Sequence, residues 1–230
     1  MPAINPQTII DLSLQRFLRL PVPPGTDRNR YTNYLQQMSR AINQALQTWR
    51  TSAYLEGIRI DGPVANGGKL RSVALDPLIL QQAPAGWEAY SRAIAAGIHN
   101  QFTSFANEVS VPGLRWYPTF AAFPGPSAPP TPNVPCPLSA LSASAARHVK
   151  EAAIVGVIYD KMPNPKPPLG KELATAVASA VEQAFMLWLP VQIVQNVLGR
   201  GPVPTFAPPY VPVGPVVGGD NIAAPGHIAG

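Results

Sequence analysis

Apolar residues recur every three or four positions along much of this chain, the spacing that places them on one face of an α-helix. The second such stretch is the clearest, because Thr26 or Asp27 can act as its N-cap while Arg and Gln fill its opposite face. Pro190 is expected to kink or interrupt the last stretch. The predicted helices cover residues 6–20, 26–52, 87–109, 138–162 and 169–198.

The hydrophobic period changes between the second and third predicted helices. Ile58, Ile60 and Val64 alternate with Gly, Arg and Asp, as in a strand with one buried face. Asn66-Gly67-Gly68 is a strong turn signal before the next apolar run. The sequence therefore predicts a β-hairpin between residues 54 and 75.

Dense proline interrupts the helical pattern twice, and the 29 Pro and 18 Gly together make up about a fifth of the 230 residues. Such segments favour the extended polyproline II conformation, which has no internal hydrogen bonds. We therefore predict a mainly α fold, a helical core with a small β-hairpin element and two long Pro-rich extended arms. Its regions are an N-terminal helical region with the hairpin (1–111), the first arm (112–137), a C-terminal helical region (138–199) and the C-terminal arm (200–230).

The two arms begin with the same four residues. Pro118-Thr119-Phe120-Ala121 and Pro204-Thr205-Phe206-Ala207 lie 86 residues apart, and each follows an amphipathic stretch and a glycine. This repeat suggests a duplicated unit, a helix followed by a rigid arm. We expect matching extended conformations in the two blocks, with Phe120 and Phe206 in comparable apolar pockets.

Large apolar side chains lie between the prolines of both arms. Flexible linkers rarely combine so many of them with so little Ser or Lys, so ordered docking is favoured over a flexible linker or a ligand for Pro-recognition modules. The sequence leaves open whether the arms dock within the chain or between copies. The predicted partner-binding residues are Trp116, Tyr117, Phe120, Phe123, Phe206, Tyr210, Val211 and Val216.

Charge is scarce and scattered. Only 13% of the residues are charged, about half the usual share, which is typical of a chain that hides surface in an oligomer. The net charge of +5 comes mainly from separated Arg residues in the first third. Because nucleic-acid binding usually needs a clustered basic patch, no nucleic-acid partner is predicted.

The sequence holds no recognisable catalytic, cofactor or metal motif. Cys136 is single and lies between two prolines, so a reduced compartment is favoured and a zinc site is not. His99, His148 and His227 lie in different segments without paired Cys. Gly218-Gly219-Asp220-Asn221 is typical of a local turn rather than of a phosphate-binding loop. We predict that the chain is not an enzyme and that catalytic, cofactor-binding and metal residues are absent.

One segment is apolar enough to raise the question of a membrane. Residues 173–198 are rich in Ala, Val and Leu, but Glu182, Gln192 and Pro190 interrupt them, so the segment is expected to be a buried helix. The first residues lack the basic and apolar regions of a signal peptide. No membrane partner is predicted.

The arm sequences 116–124 and 202–212 resemble the virion structural proteins of tailed bacteriophages, in which compact helices carry Pro-rich arms. The resemblance implies a neck, tail, baseplate or minor capsid component, located in the virion and assembled in the host cytoplasm. It also implies partners, namely further copies of the chain and other structural proteins of the same assembly. The favoured function is a non-enzymatic structural subunit whose arms dock on neighbouring subunits. The alternatives are a membrane-associated protein using residues 173–198 and an unrecognised enzyme.

Overall fold

The structure, a computed structural model, describes residues 6–111, 113–117, 120, 122–206 and 214–229. Short 3-10 helices lie at Ala145–Val149 and Leu189–Val191. The α-helices of the described part are α1 (Pro6–Arg19), α2 (Arg28–Ser52), α3 (Leu75–Gln81), α4 (Glu88–Glu108), α5 (Leu138–Leu141), α6 (Glu151–Lys161) and α7 (Gly170–Trp188). The strands are β1 (Tyr54–Asp61), β2 (Val64–Arg71), β3 (Arg115–Trp116), β4 (Ser127–Val134), β5 (Cys136–Pro137), β6 (Ile193–Val194), β7 (Leu198–Pro202), β8 (Gly219–Asn221) and β9 (Ile228–Ala229).

The fold is a mixed α/β fold, with 52% helix and 19% strand. Its main sheet is a curled, antiparallel, six-stranded half-barrel with the order β2-β1-β8-β7-β4-β3, and a second sheet has the order β5-β6-β9. The prediction of a mainly α fold with one small hairpin is wrong, because the Pro-rich segments supply strands to both sheets. The first arm contains β3, β4 and β5, and the second arm contains β8 and β9.

Pro129 and Pro130 are tolerated in β4 because the strand is irregular where they occur, whereas Pro132 keeps its register opposite Leu198. The register between β4 and β7 shifts between Ala128 and Thr131, which leaves Pro129 and Pro130 in the irregular stretch. Proline has no amide hydrogen, so a strand can carry it only where the ladder does not need that donor. The prolines that predict an unpaired arm therefore lie in a paired strand.

The predicted hairpin exists as β1 and β2, but its turn is at Gly62-Pro63. Gly67 and Gly68 lie within β2, and both have positive φ, as does Gly57 in β1. A Cβ on Gly68 would lie 2.7 Å from the Ile58 and Val111 side chains. The glycines that suggest a turn are therefore used to bend the strands and to let Val111 pack closely.

The helical core is built around aromatic rings from three helices. Phe102 lies 5.4 Å from Trp49 and 5.4 Å from Phe185 between ring centroids, and Trp188 extends the cluster. α1 packs on α2 and α7, while α4 packs on α3 and α6. The predicted helices 6–20 and 87–109 agree with α1 and α4 to within one residue at each end. Their apolar faces are long and regular, which makes such helices predictable.

Three details of the helix predictions have clear outcomes. Asp27 is the N-cap of α2, since its Oδ1 accepts the amide of Arg30 at 3.1 Å. The predicted helix 138–162 is broken into α5, a 3-10 turn and α6, and α7 ends at Trp188 rather than residue 198. Pro190 lies in the 3-10 turn that follows α7, where its ring ends the helix.

α7 is also the helix that raised the question of a membrane. Gly170–Val191 is long and apolar enough to cross one, but 61% of its most apolar window is buried inside the protein. A core helix of a soluble protein has the same properties. Its burial agrees with the expectation of a buried helix.

Candidate interaction surface

The two Pro-rich segments pair with each other inside one chain. β4 of the first segment runs antiparallel to β7, and the Val203 amide donates to the Pro126 carbonyl at 2.9 Å. Further along, Phe123 and Gly214 exchange backbone hydrogen bonds of 3.0 and 3.4 Å. The segments therefore dock on one another through their backbones.

The second segment is also fixed to the hairpin turn. The Gly62 amide donates to the Val216 carbonyl at 2.6 Å, and the Gly218 amide donates to Asp61 Oδ1 at 2.7 Å. The Val217 amide donates to the Pro202 carbonyl at 3.1 Å. These bonds gather four loops at one end of the main sheet. We call this surface the proline-rich end and define it as residues 62–64, 122–126, 202–206 and 214–218.

The proline-rich end has an unusual surface chemistry. None of its residues is charged, and Thr205 is its one polar side chain. Val64 is 54% exposed and Val217 is 44% exposed. The exposed prolines of this end are Pro63, Pro124, Pro126, Pro202, Pro204 and Pro215. A contiguous apolar patch of this kind on a folded chain is typical of an interaction site.

A charged groove lies beside this apolar end. It has a volume of about 440 Å³ and lies over β4, β7 and the start of β8. Arg200 and Asp220 form an ion pair of 3.0 Å in it, and this contact raises the pKa of Arg200 above its usual value. The apolar patch therefore has a polar border on this side, as protein interfaces commonly do.

The predicted partner-binding residues are divided between interior and surface. Trp116, Phe120 and Val216 are buried in the core of the chain, and Trp116 Nε1 donates to the Thr131 carbonyl at 3.0 Å. Phe123 and Phe206 are half-buried at the proline-rich end, and Tyr117 is 44% exposed. Tyr210 and Val211 lie outside the described residues. For the three buried residues, the apolar contacts lie within the chain.

The repeated blocks share one backbone hydrogen bond but differ in the burial of their phenylalanine. The Phe120 amide donates to the Tyr117 carbonyl at 2.8 Å, and the Phe206 amide donates to the Val203 carbonyl at 3.1 Å, so both bonds join residues three apart. Phe120 is buried, whereas Phe206 is half-buried. These backbone bonds close turns, which differ from the extended conformation that the repeat predicts, and the two phenyl rings differ in burial. Pro118, Thr119, Ala121 and Ala207 lie outside the described residues, so a match over the full blocks stays a prediction.

The two Pro-rich segments also resemble each other in a buried asparagine, which the repeated blocks do not predict. Asn133 Oδ1 accepts the Val197 amide at 2.9 Å, and its Nδ2 donates to the Val194 carbonyl at 3.1 Å. Asn221 Oδ1 likewise accepts the Ile58 amide at 3.0 Å, and its Nδ2 donates to the Leu55 carbonyl at 2.8 Å. Both side chains are buried. Each Pro-rich segment therefore carries one asparagine that ties it to a neighbouring strand.

The segment 218–221 was predicted to be a local turn, and the structure shows a strand instead. Gly219–Asn221 forms β8 between β1 and β7, rather than a local turn. A Cβ on Gly219 would lie 2.6 Å from the Arg200 carbonyl, so glycine permits the close approach of the strands. Pro63, Val64 and Val217 were not predicted as surface residues. The alternation of Ile58, Ile60 and Val64 indicates one buried face, but Val64 lies past the Gly62-Pro63 turn and is 54% exposed.

Reactive groups elsewhere form no clear centre. No group of three or more His, Cys, Asp or Glu that could hold a metal occurs among the described residues. A cleft of about 240 Å³ contains His99, whose Nδ1 lies 3.3 Å from the Leu75 amide and 3.6 Å from Asp76. Nδ1 cannot accept the Leu75 amide and donate to the Asp76 carboxylate at the same time. Burial raises the pKa of the Cys136 thiol, which disfavours the reactive thiolate.

No protein-family model, curated protein or solved structure matches this chain.

Proposed function

We propose that this chain is a non-enzymatic structural subunit of a multi-subunit assembly and that its proline-rich end contacts a second copy of the chain. The observation that carries the proposal is the absence of charge among the residues of that end, together with the exposure of Val64 and Val217. Burying these side chains removes apolar surface from water, and the adjacent carboxylate of Asp61 is already engaged by the Gly218 amide and by Arg59.

The rigidity of this end also favours association. Its loops are already held by the backbone bonds of Phe123, Val203 and Gly62, and its prolines have fixed φ angles. A surface that is ordered before it docks loses little conformational entropy on binding. Association through it therefore needs less interaction energy than association through free arms.

A second copy can meet the proline-rich end without placing like charges in contact. The chain carries a net charge of +5, so two copies repel each other wherever charged faces meet. An uncharged patch avoids this repulsion, and a two-fold axis would place the same patch on both sides of the contact. The low charged fraction of the whole chain, 13%, points in the same direction.

Within this class, we propose the virion of a tailed bacteriophage as the assembly, as a component of the neck, tail, baseplate or minor capsid. The support is the resemblance of segments 116–124 and 202–212 to such proteins. The sequence predicts that free arms dock on neighbouring subunits. Because the two segments pair within the chain, we propose that their shared outer surface does so instead. A membrane role for residues 173–198 receives less support, since α7 is largely buried.

The test is the mass of the purified chain in solution, measured by light scattering after size exclusion. We expect an oligomer for the natural sequence and a shift to monomer for the double variant Val64→Asp/Val217→Asp, because two carboxylates would be buried at each contact. The matched control is Val73→Asp, which alters a valine of 41% exposure beyond the opposite end of β2 and should leave the mass unchanged. A monomeric natural chain, or an equal effect of the control, would refute the proposal.

A further inference from the structure

Trp87 is the centre of an aromatic cluster at the surface where α2 and α4 begin. Tyr34 stacks on one face of its indole, with 4.4 Å between centroids and 22° between planes. Tyr31 and Tyr90 each lie 5.3 Å from Trp87 between ring centroids. The indole is only half-buried, whereas Tyr34 beneath it is buried. The cluster is therefore a rigid platform with one edge in solvent.

An exposed arginine lies over this platform. The Arg30 guanidinium carbon is 5.1 Å from the centroid of the Trp87 ring, a cation-π contact. No carboxylate of the described residues forms an ion pair with Arg30, and Asp27 is engaged by the Arg30 backbone amide at 3.1 Å. The contact with Trp87 holds the planar Arg30 guanidinium in place, while the N–H donors along the edge of the guanidinium stay free for a ligand.

The surroundings add further positive charge and an apolar anchor. Arg28 Nη1 donates to the Leu18 carbonyl at 3.4 Å, which places the start of α2 beside the end of α1. Leu18 is 55% exposed, and Arg19 next to it is exposed as well. We call Leu18, Arg19, Arg28, Arg30 and Trp87 the Arg-Trp surface.

We propose that the Arg-Trp surface binds an acidic segment of a partner protein, whose carboxylates pair with Arg30 and Arg28 and whose apolar side chain packs on Leu18. Guanidinium groups bind carboxylates through two parallel hydrogen bonds, and pre-positioning by an aromatic ring reduces the entropy lost on binding. Trp, Tyr and Arg are also the residues that most often dominate the energy of protein interfaces.

A single-stranded nucleic acid is the competing ligand, because basic and aromatic residues combine in such sites. Base stacking requires a free ring face, and both faces of Trp87 are covered, by Tyr34 and by Arg30. The Tyr90 hydroxyl donates to the Pro168 carbonyl at 2.8 Å, and burial raises the pKa of Tyr90 to about 12, so it remains a donor. A carboxylate needs only the free edge of a guanidinium, which this surface offers.

This inference is independent of the proposed self-association. The Arg-Trp surface shares no residue with the proline-rich end, and it is charged where that end is not. Variants at Val64 and Val217 should change the mass of the chain without changing acidic-segment binding, and variants at Arg30 should do the reverse. Failure of one proposal therefore leaves the other intact.

The experiment measures fluorescence anisotropy of a labelled synthetic peptide rich in glutamate with a single leucine, titrated with the full chain at low salt. We expect Arg30→Gln to weaken binding about tenfold. The matched control is Arg40→Gln, which removes the same charge from an exposed position of the same helix and should change affinity less than about twofold. The same peptide with glutamine in place of glutamate should bind at least about tenfold more weakly.

Intrinsic fluorescence supplies a second measurement at the site. Trp49, Trp116 and Trp188 are 4%, 2% and 4% exposed, so acrylamide quenching reports chiefly on Trp87. Bound glutamate peptide should reduce this quenching in the natural chain and not in Arg30→Gln. Equal loss of affinity in Arg30→Gln and Arg40→Gln, absence of peptide binding, or tighter binding of an oligothymidylate than of the peptide would each overturn the inference.

Discussion

The two Pro-rich segments contribute strands to the same sheet, one at its edge and one in its centre. The first supplies β3 and β4, which form one edge of the main sheet, whereas the second supplies β8, which lies between β1 and β7. Both carry a buried asparagine and a phenylalanine whose amide closes a bond to the third residue before it. The segment nearer the chain end is therefore the more central one. Position in the sequence is a poor guide to position in the sheet.

The comparison predicts the largest effect for loss of the second segment. A chain that ends at Phe206 lacks β8 and β9, so β1 and β7 lose their shared partner and Val216 leaves the core. We expect this chain to lose cooperative thermal unfolding, measured by circular dichroism. A synthetic peptide of residues 207–230 added in trans should restore the transition. A truncated chain that melts cooperatively near the natural temperature would show that the sheet does not depend on β8.

A single substitution tests the first segment. Trp116→Ala should lower the free energy of unfolding by about 3–5 kcal/mol, because it removes a buried ring and leaves the Thr131 carbonyl without its donor. Tyr117→Ala is the neighbouring control and should cost less than about 0.5 kcal/mol. Chemical denaturation measures both. Equal values for the two variants would mean that β3 does not belong to the core.

The asparagines test whether the two segments are tied to the sheet in the same way. Asn133→Ala and Asn221→Ala should each cost about 2–4 kcal/mol, since each leaves a buried backbone donor and acceptor unpaired. Asn66→Ala, at an exposed position of β2, should cost less than about 0.5 kcal/mol. If only one of the two buried asparagines matters, the correspondence between the segments is superficial.

A smaller, pH-dependent effect is expected at the end of the second segment. His227 Nδ1 accepts the Leu55 amide at 2.9 Å, and burial lowers the pKa of His227 below its usual 6.5. The neutral imidazole is favoured in the folded chain, so this contribution to stability is complete above pH 6.5 and is lost as the pH falls through the folded pKa. The slope is at most about 1.4 kcal/mol per pH unit.

His227→Gln removes the titrating group and should flatten this part of the stability profile, measured by denaturation at several pH values. An unchanged slope between the natural chain and His227→Gln would assign the acid sensitivity to other groups.

The sequence predicted local structure better than pairing between distant segments. α2 was predicted, with its N-cap narrowed to Thr26 or Asp27, because an amphipathic face and a capping side chain are local signals. β4 was missed because its partner β7 lies more than sixty residues away and its prolines resemble an unpaired arm. Asn66-Gly67-Gly68 indicated a turn, yet the same freedom of φ serves to curve a strand.

The candidate surface was predictable only in part. The repeated Pro-Thr-Phe-Ala blocks point to the segments that form the proline-rich end, but the sequence does not reveal which side of an extended strand faces the core. Trp116 and Val216 face inward, while Val64 and Val217 face solvent. The pairing of Phe123 with Gly214 depends on contacts across the whole fold, so no local pattern encodes it.

Hydrogen exchange of the full chain tests most directly whether the second Pro-rich segment is a central part of the sheet. The amides of Val217, Gly218 and Ile222 donate to the Pro202 carbonyl, the Asp61 carboxylate and the Leu198 carbonyl. We predict slow exchange at all three, comparable to that of the buried turns of α4 and lost together with them on global unfolding. Exchange at the rate of an unstructured chain, with α4 still protected, would contradict the account.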